Sequence, residues 1–228
     1  MLLLSLALLP ACASQRTAPP RTGGGFSPSQ IAKSDIDRVA EAHQQEIFHN
    51  LRLLTEKLYR RNPRELKKSG RNTVDAGVAR IYDVHHDWQF SSLRGARGTP
   101  AIQLALREDH QGDRVLAFSV GLASMIQIAF GNKTQFFMFD DLNPQALYNA
   151  ARNVEIAVWK LSNTRDAQGN LLLLSNEATG PVINLSYERE FGKVIASLDI
   201  LSKIAADKTN RTVVKVIQTV ATAVFLPI

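Results

Sequence analysis

Ser34-Asp35-Ile36-Asp37-Arg38-Val39-Ala40-Glu41-Ala42-His43-Gln44-Gln45-Glu46-Ile47-Phe48-His49-Asn50-Leu51-Arg52-Leu53-Leu54-Thr55-Glu56-Lys57-Leu58 is the stretch that decides the fold class. Ile36, Val39, Ala40, His43, Ile47, Leu51, Leu54 and Leu58 recur mainly at three- and four-residue steps, which line one face of an α-helix. Ser34 and Asp37 form a capping box with a shorter acid than usual, so the spacing predicts one long amphipathic helix over 35–61. Asn62-Pro63-Arg64-Glu65 then places an N-cap residue, a proline at the first helical position and a glutamate two further on. That order starts a second, short helix which ends at Gly70.

Downstream, the same reading predicts helices over 73–82, from Thr99-Pro100 to about Arg107, from Asp113 to Phe130, and from Asn143-Pro144 to about Leu161. The last carries Leu147, Ala150, Ala151, Val154, Ala157, Val158 and Leu161 as its inner stripe. Two more are expected over 182–206 and 210–225. Thr134 to Phe139 reads as a short strand or an extended arm, and Leu171-Leu172-Leu173-Leu174 as a buried extended segment or a core turn. The expected fold is mainly α: a single domain of six to eight helices over 34–228, with little or no sheet. Between Arg114 and Lys133 there is no charge, a run that just reaches membrane length. Ser119, Ser124 and Gln127 dilute it, so a buried helix is the expectation.

Upstream of the helices, 13–29 is rich in Ser, Thr, Pro and Gly and holds almost nothing that packs. Before it stands the leucine-rich run 2–9, then Pro10-Ala11 and Cys12, the chain's single cysteine. An apolar stretch ending in a small residue has the form of an export leader. Leu9-Pro10-Ala11-Cys12 resembles a bacterial lipobox, which implies a signal peptide over 1–11, diacylation of Cys12 by palmitate-type chains, and a flexible linker over 12–33. Two acyl chains anchor stably where one does not. An ordinary signal peptide with an incidental cysteine is the alternative. No Lys or Arg precedes Cys12, so the basic start of an ordinary leader lies upstream of Met1 or is dispensed with. In Gram-negative bacteria, an acidic residue after the lipidated cysteine favours inner-membrane retention. Ala13 in that position implies the outer membrane, periplasmic face.

The net charge of +6 includes Arg16, Arg21 and Lys33, which no acid accompanies in 1–33, leaving +3 for 34–228. The basic pI therefore argues little for nucleic acid. With no second cysteine the domain relies on its core rather than on an internal disulfide.

Chemistry-bearing patterns are few. Arg60, Arg61, Arg64, Lys67 and Lys68, followed by Arg71, gather around the corner after the first helix against the single acid Glu65. A solvated corner is one reading. The other is docking on anionic groups such as lipid headgroups, since basic residues near an anionic surface contribute roughly 1 kcal/mol each. Only Tyr59 is aromatic there, so a base-stacking surface is not indicated. Asp83-Val84-His85-His86-Asp87 holds four possible metal ligands, but adjacent residues on a regular element point apart and no zinc-site spacing supports them. His110 with Glu108, Asp109 and Asp113 is the only other polar cluster able to join. Asp140-Asp141 and Glu188-Arg189-Glu190 are near-paired carboxylates of the sort that also sit at helix starts. Gly121-Leu122-Ala123-Ser124 lacks the spacing of a nucleophile elbow. No catalytic residue, metal or cofactor is assigned.

Tyr59-Arg60-Arg61-Asn62-Pro63-Arg64-Glu65-Leu66, Leu147-Tyr148-Asn149-Ala150-Ala151-Arg152-Asn153 and Ala206-Asp207-Lys208-Thr209-Asn210-Arg211-Thr212 resemble a group of uncharacterised proteobacterial lipoproteins. The resemblance implies bacterial origin and an envelope location, and carries no activity with it. The functional expectation is a membrane-anchored periplasmic interaction or scaffold protein, held by Cys12 and docking through the basic corner on an envelope protein or anionic lipid. Two alternatives stand beside it. One is an envelope hydrolase or metal-dependent enzyme using 83–87, and the other a lipid or small-ligand binder whose apolar helices near 115–130 and 213–225 line a pocket.

Overall fold

The computed structural model describes residues 34–137, 140–177, 181 and 183–228. The leader, Cys12 and the linker lie outside them, as do Met138 and Phe139 of the expected arm. Among the described residues seven helices follow one another: α1 (Asp35–Arg61), α2 (Pro63–Lys68), α3 (Val74–Tyr82), α4 (Thr99–Ala105), α5 (Arg114–Ala129), α6 (Pro144–Asn163) and α7 (Ser186–Thr209), with a 3₁₀ turn at Ser91–Leu93. Among the described residues there is no sheet, only the isolated bridges Arg165–Leu171 and Glu177–Asn184.

The uncharged run forms α5, and fifteen of its sixteen residues are buried. A helix apolar on every side must be covered on every side. α1 covers one face, running antiparallel: Tyr59 meets Asp113 at one end, the Thr55 hydroxyl donates to Ser119 Oγ (2.9 Å) midway, and Gln44 Nε2 donates to the Lys133 carbonyl (2.7 Å) at the other. α4 covers a second face by coming very close at Gly121, where an added Cβ would lie 2.6 Å from Ile102 Cγ1 and 2.7 Å from the Ile102 backbone nitrogen. Ser124 Oγ, three residues on, accepts from the Gly98 backbone N–H at 2.7 Å, which supplies a partner for the start of α4. α6 covers a third face with the inner stripe expected from its spacing, all of it buried. α7 lies across α1 and α6. Asp37–Lys208 (3.7 Å) and Lys57–Glu190 (3.5 Å) mark its antiparallel path along α1. No helix among the described residues is long and apolar enough to cross a membrane.

Local signals explain the boundaries. Ser34 and Asp37 close the expected capping box, and Asp113 and Asn143 cap α5 and α6 through their side-chain oxygens. The buried face of α1 drifts from the expected stripe. Ile36 and Val39 are exposed, and Gln44 rather than His43 turns inward, because α1 is long enough to meet different partners at its two ends.

The helix expected over 210–225 does not form. α7 continues to Thr209 and stops at Asn210, which takes the left-handed conformation (φ 50°). Beyond it, Thr212, Val213, Val214, Val216, Ile217, Thr219, Val220 and Thr222 are β-branched, and their restricted χ1 disfavours a helix that nothing buries. The segment instead runs as a non-helical strap over α6, held by amide side chains. Gln145 exchanges two hydrogen bonds with the Val214 backbone (2.8 and 3.1 Å). Asn153 exchanges two with Leu226 (2.6 and 2.9 Å), and Asn149 Nδ2 donates to the Pro227 carbonyl (2.8 Å). Spaced four apart, these three residues share one helix face and offer the backbone groups the partners a neighbouring strand would give. The pocket expected between apolar helices near 115–130 and 213–225 therefore has no second wall, and α5 is covered by protein.

Two substitutions test this packing. Gly121→Ala forces α4 off α5 and lowers unfolding free energy by about 2 kcal/mol in chemical denaturation, the usual scale of overpacking; an unchanged midpoint refutes the close approach. Asn153→Ala strands the Leu226 backbone groups at a cost of about 2 kcal/mol, and cleavage by trypsin at Arg211 and Lys215 accelerates. Wild-type digestion kinetics in that variant would show that the clamp does not hold the strap.

Candidate functional site

The corner after α1 is set by Asn62, which does not cap α2 with its side chain as its sequence position suggests. Its Nδ2 donates to the Leu58 and Leu174 carbonyls, and its Oδ1 accepts from the Leu174 N–H, all at 2.8 Å. This draws the 165–174 loop beside α2. Glu65, the only acid in the basic corner, faces inward at 7% exposure. It accepts from the Arg114 backbone N–H (2.8 Å) and from Lys68 (2.7 Å), tying α2 to the start of α5.

The five basic residues of the corner divide into two sets. Arg60 lies on the outer side of α1, where its guanidinium bonds Glu56 (2.8 and 2.9 Å), and the Lys67 side chain stands exposed. Arg61, Arg64 and Lys68 instead line a cleft of about 1080 Å³. Its other walls are the α4–α5 loop with Glu108, His110 and Arg114, and the 165–174 loop with Arg165 and Asp166. Pro63, Leu171, Leu172 and Leu174 add an aliphatic part.

Each acid of this cleft has a structural task. Glu65 holds the Arg114 N–H and the Lys68 ammonium. Glu108 Oε1 accepts from the Ala167 N–H (2.8 Å), bridging the two loops. Asp166 accepts from the N–H groups of Gln168 (3.0 Å) and Asn170 (2.8 Å), which holds its own turn and keeps its carboxyl below the usual carboxylate range. The cations are less committed. Arg61 reaches Glu177 through Nη2 (3.1 Å), while its Nε is buried with no partner among the described residues. Arg165 Nη1 donates to the Gly169 carbonyl (2.9 Å). Arg114 spends its guanidinium on the carbonyls of Ala105, Arg107 and Glu108, which fixes its position without neutralising its charge. Among the described residues, neither Arg64 nor Arg165 has a carboxylate partner. The half-buried His110 ring packs against Gly112, where an added Cβ would come within 2.8 Å of it, and its Nε2 is buried without a hydrogen bond. Burial first, then the cations Arg114 and Lys68, hold this imidazole below its ordinary pKa and so neutral near pH 7.

Behind the cleft, the Tyr59 hydroxyl donates to Asp113 Oδ2 (2.7 Å), while Asp113 Oδ1 accepts from the Leu116 N–H (3.0 Å). Burial outweighs both bonds and pushes the Asp113 carboxyl up to about 6, and it raises the Tyr59 phenol as well. His110 and Glu108 read in the sequence as one polar cluster, but nothing there joins them to Arg114, Arg165 and the basic corner as one site. The signal for Arg114 was a lone charge at the mouth of an uncharged helix; nothing in the sequence indicates that 165–170 folds back beside it.

The other sequence candidates are separated. Asp83 forms a two-point pair with Arg52 (2.5 and 2.9 Å). His86 uses both ring nitrogens on backbone: Nδ1 accepts from the Trp88 N–H (3.0 Å), which leaves Nε2 protonated to donate to the Ile81 carbonyl (2.9 Å). His85 stands in solvent with Asp87 at 3.9 Å. Among the described residues no three His, Cys, Asp or Glu converge as a metal site. Asp109 pairs with Arg107, Asp113 turns away to Tyr59, Asp140 pairs with Lys133, Glu190 with Lys57 and Lys193, and Glu188 with Asn176.

Asp113 makes stability pH-dependent. Folded, its carboxyl keeps a proton up to about 6; unfolded, it releases it near the ordinary value of 3.8. Between these the folded state binds more protons, so this group's contribution falls as pH rises from about 4 to about 6 and is constant above. Compared with Asp113→Asn, the wild-type stability advantage shrinks across that window by on the order of 2 kcal/mol. Denaturant titrations at several pH values measure it, and a pH-independent difference contradicts the assignment. No family model, curated protein or solved structure matches the chain.

Proposed function

We propose that this chain is a non-enzymatic lipoprotein of the bacterial cell envelope, held by acylated Cys12 on the periplasmic face of the outer membrane. There its helical body works as an interaction or scaffold protein. The observation that carries this reading is the polarity of the folded body. α1 begins next to the end of α7, as the Asp37–Lys208 pair shows, so the linker leaves from the end where the strap starts. Arg211 and Lys215 lie there, while Lys208 is engaged by Asp37 and the Asp140 carbonyl, and 208–228 holds no acid. Along the strap Val214 and Val224 are exposed, and Ile217 is 98% exposed. Burying an isoleucine contributes roughly 1.5–3 kcal/mol, and cations flanking exposed apolar groups suit the boundary of an anionic bilayer.

The basic corner sits at the other end of α1, about 40 Å away for 27 residues at 1.5 Å each. On this reading 12–33 is a linker of 22 residues, and a random coil of that length has a root-mean-square span of about 25 Å. These lengths favour a body resting on its strap end, with the corner turned toward envelope components rather than toward the lipid that holds it. This narrows the docking role of Arg60, Arg61, Arg64, Lys67 and Lys68 to a partner in the periplasm. The resemblance to proteobacterial lipoproteins fits the same reading.

Replacing Cys12 with Ala tests the anchor. Mature wild-type protein is expected to begin at Cys12 with acyl mass added and to sediment with membranes, whereas Cys12→Ala partitions into the soluble fraction. An unmodified thiol in the mature product, or a variant that still sediments like wild type, overturns the lipoprotein reading.

A further inference from the structure

We infer that the cleft between α2, the α4–α5 loop and the 165–174 loop is a binding site for a phosphate group carried on a small aliphatic or sugar body. The cleft belongs to the folded domain and is independent of acylation at Cys12. At about 1080 Å³ the cleft has the size of a small-molecule site. Its charge is arranged for an anion: five cationic side chains line it against three carboxylates, and hydrogen bonds within the frame already engage all three carboxylates. Arg64 and Arg165 enter from opposite walls without carboxylate partners. Arg114 contributes a charge immobilised by three carbonyls, so presenting it costs little further ordering.

Guanidinium groups offer planar pairs of N–H donors that match phosphate oxygens, which a point charge does not. Arg61 Nε and His110 Nε2 are buried polar atoms without hydrogen-bond partners among the described residues, in side chains that line the same space. An unmade hydrogen bond at a buried polar atom is costly, so a small rotation of either side chain toward a phosphate in the cleft is favoured. The lining residues include no Phe, Tyr or Trp, which argues against stacked bases and hence against single-stranded nucleic acid. Pro63, Leu171, Leu172 and Leu174 supply an aliphatic wall on which the body attached to the phosphate can rest.

The phosphate has two possible sources, a soluble phosphoester or a phospholipid headgroup, and one experiment separates them. Full-length Cys12→Ala protein is titrated with inorganic pyrophosphate and with glycerol 3-phosphate by calorimetry, and with phosphatidylglycerol vesicles by co-sedimentation against phosphatidylcholine vesicles. The His110 ring resonances are followed throughout. Two double variants remove equal charge: Arg64→Ser with Arg165→Ser inside the cleft, and Arg60→Ser with Lys67→Ser outside it. All four side chains are at the surface, and circular dichroism checks that both variants fold.

Saturable binding of either soluble probe is expected, with a shift at His110, a Kd at least tenfold weaker in the cleft variant and one within twofold of the parent in the outer variant. Binding confined to phosphatidylglycerol vesicles with the same dependence on the two variants assigns the site to a headgroup. Equal weakening by both variants reduces the effect to general surface charge and overturns the site, as does the absence of binding to every probe. Loss of the Cys12 anchor in cells with cleft binding intact would remove the envelope reading alone.

Discussion

Burial of α5 is the constraint from which the rest of this structure follows. A sixteen-residue helix with a single charge, placed at its mouth, has no face suited to water, so it has to be wrapped on all sides. α1 and α6 do so by complementary apolar stripes, and α4 by the close approach at Gly121 that only a missing side chain permits. The hydroxyl groups that line α5 are paired locally. Thr55, Tyr82 and Ser119 share hydroxyl contacts, and Ser124 bridges its own helix and the start of α4. Arg114, at the mouth of the helix, ties the α4–α5 loop to it, so one end of the core is also a wall of the cleft.

The irregular segments use a different device. Asn62, Gln145 and Asn153 each present a carboxamide whose oxygen and N–H meet both backbone groups of one distant residue, as an adjoining strand would. Chain that lacks helical propensity is thereby held against helices without forming a sheet. Asn62 positions the 165–174 loop beside the corner, and Asn153 holds the strap over α6. These three side chains settle where the connecting segments lie, and through them the shape of the cleft and of the opposite, apolar end.

Electrostatics in the cleft follow from that scaffolding. Its carboxylates are spent on backbone N–H groups and on Lys68, which leaves the arginines with more charge than the fold consumes. Where an acid is present but committed to structure, the local field stays positive although the formal count looks nearly balanced. The corner that reads as one basic patch is thus two surfaces, one outer and solvated and one recessed.

Most of the helical architecture could be read directly from periodicity and caps. The capping box at Ser34, the Asn143-Pro144 start and the inner stripe of α6 are local signals, and local interactions suffice to carry them. The apolar residues of the strap fit a helical period as well as an extended one, so periodicity predicts a helix there; their β-branching, together with the absence of a partner face to bury a helix, decides for the non-helical form. The cleft was only half legible for a comparable reason. Arg61, Arg64 and Lys68 are close in sequence, but Arg114, His110 and Arg165 join them only after α5 is buried and Asn62 has captured Leu174. Local sequence determined where α1 to α6 begin, since caps and prolines act on neighbours within a turn; the long-range contacts of the folded chain decided that 211–228 runs as a strap, which charges face one another and which side chains have no partner among the described residues.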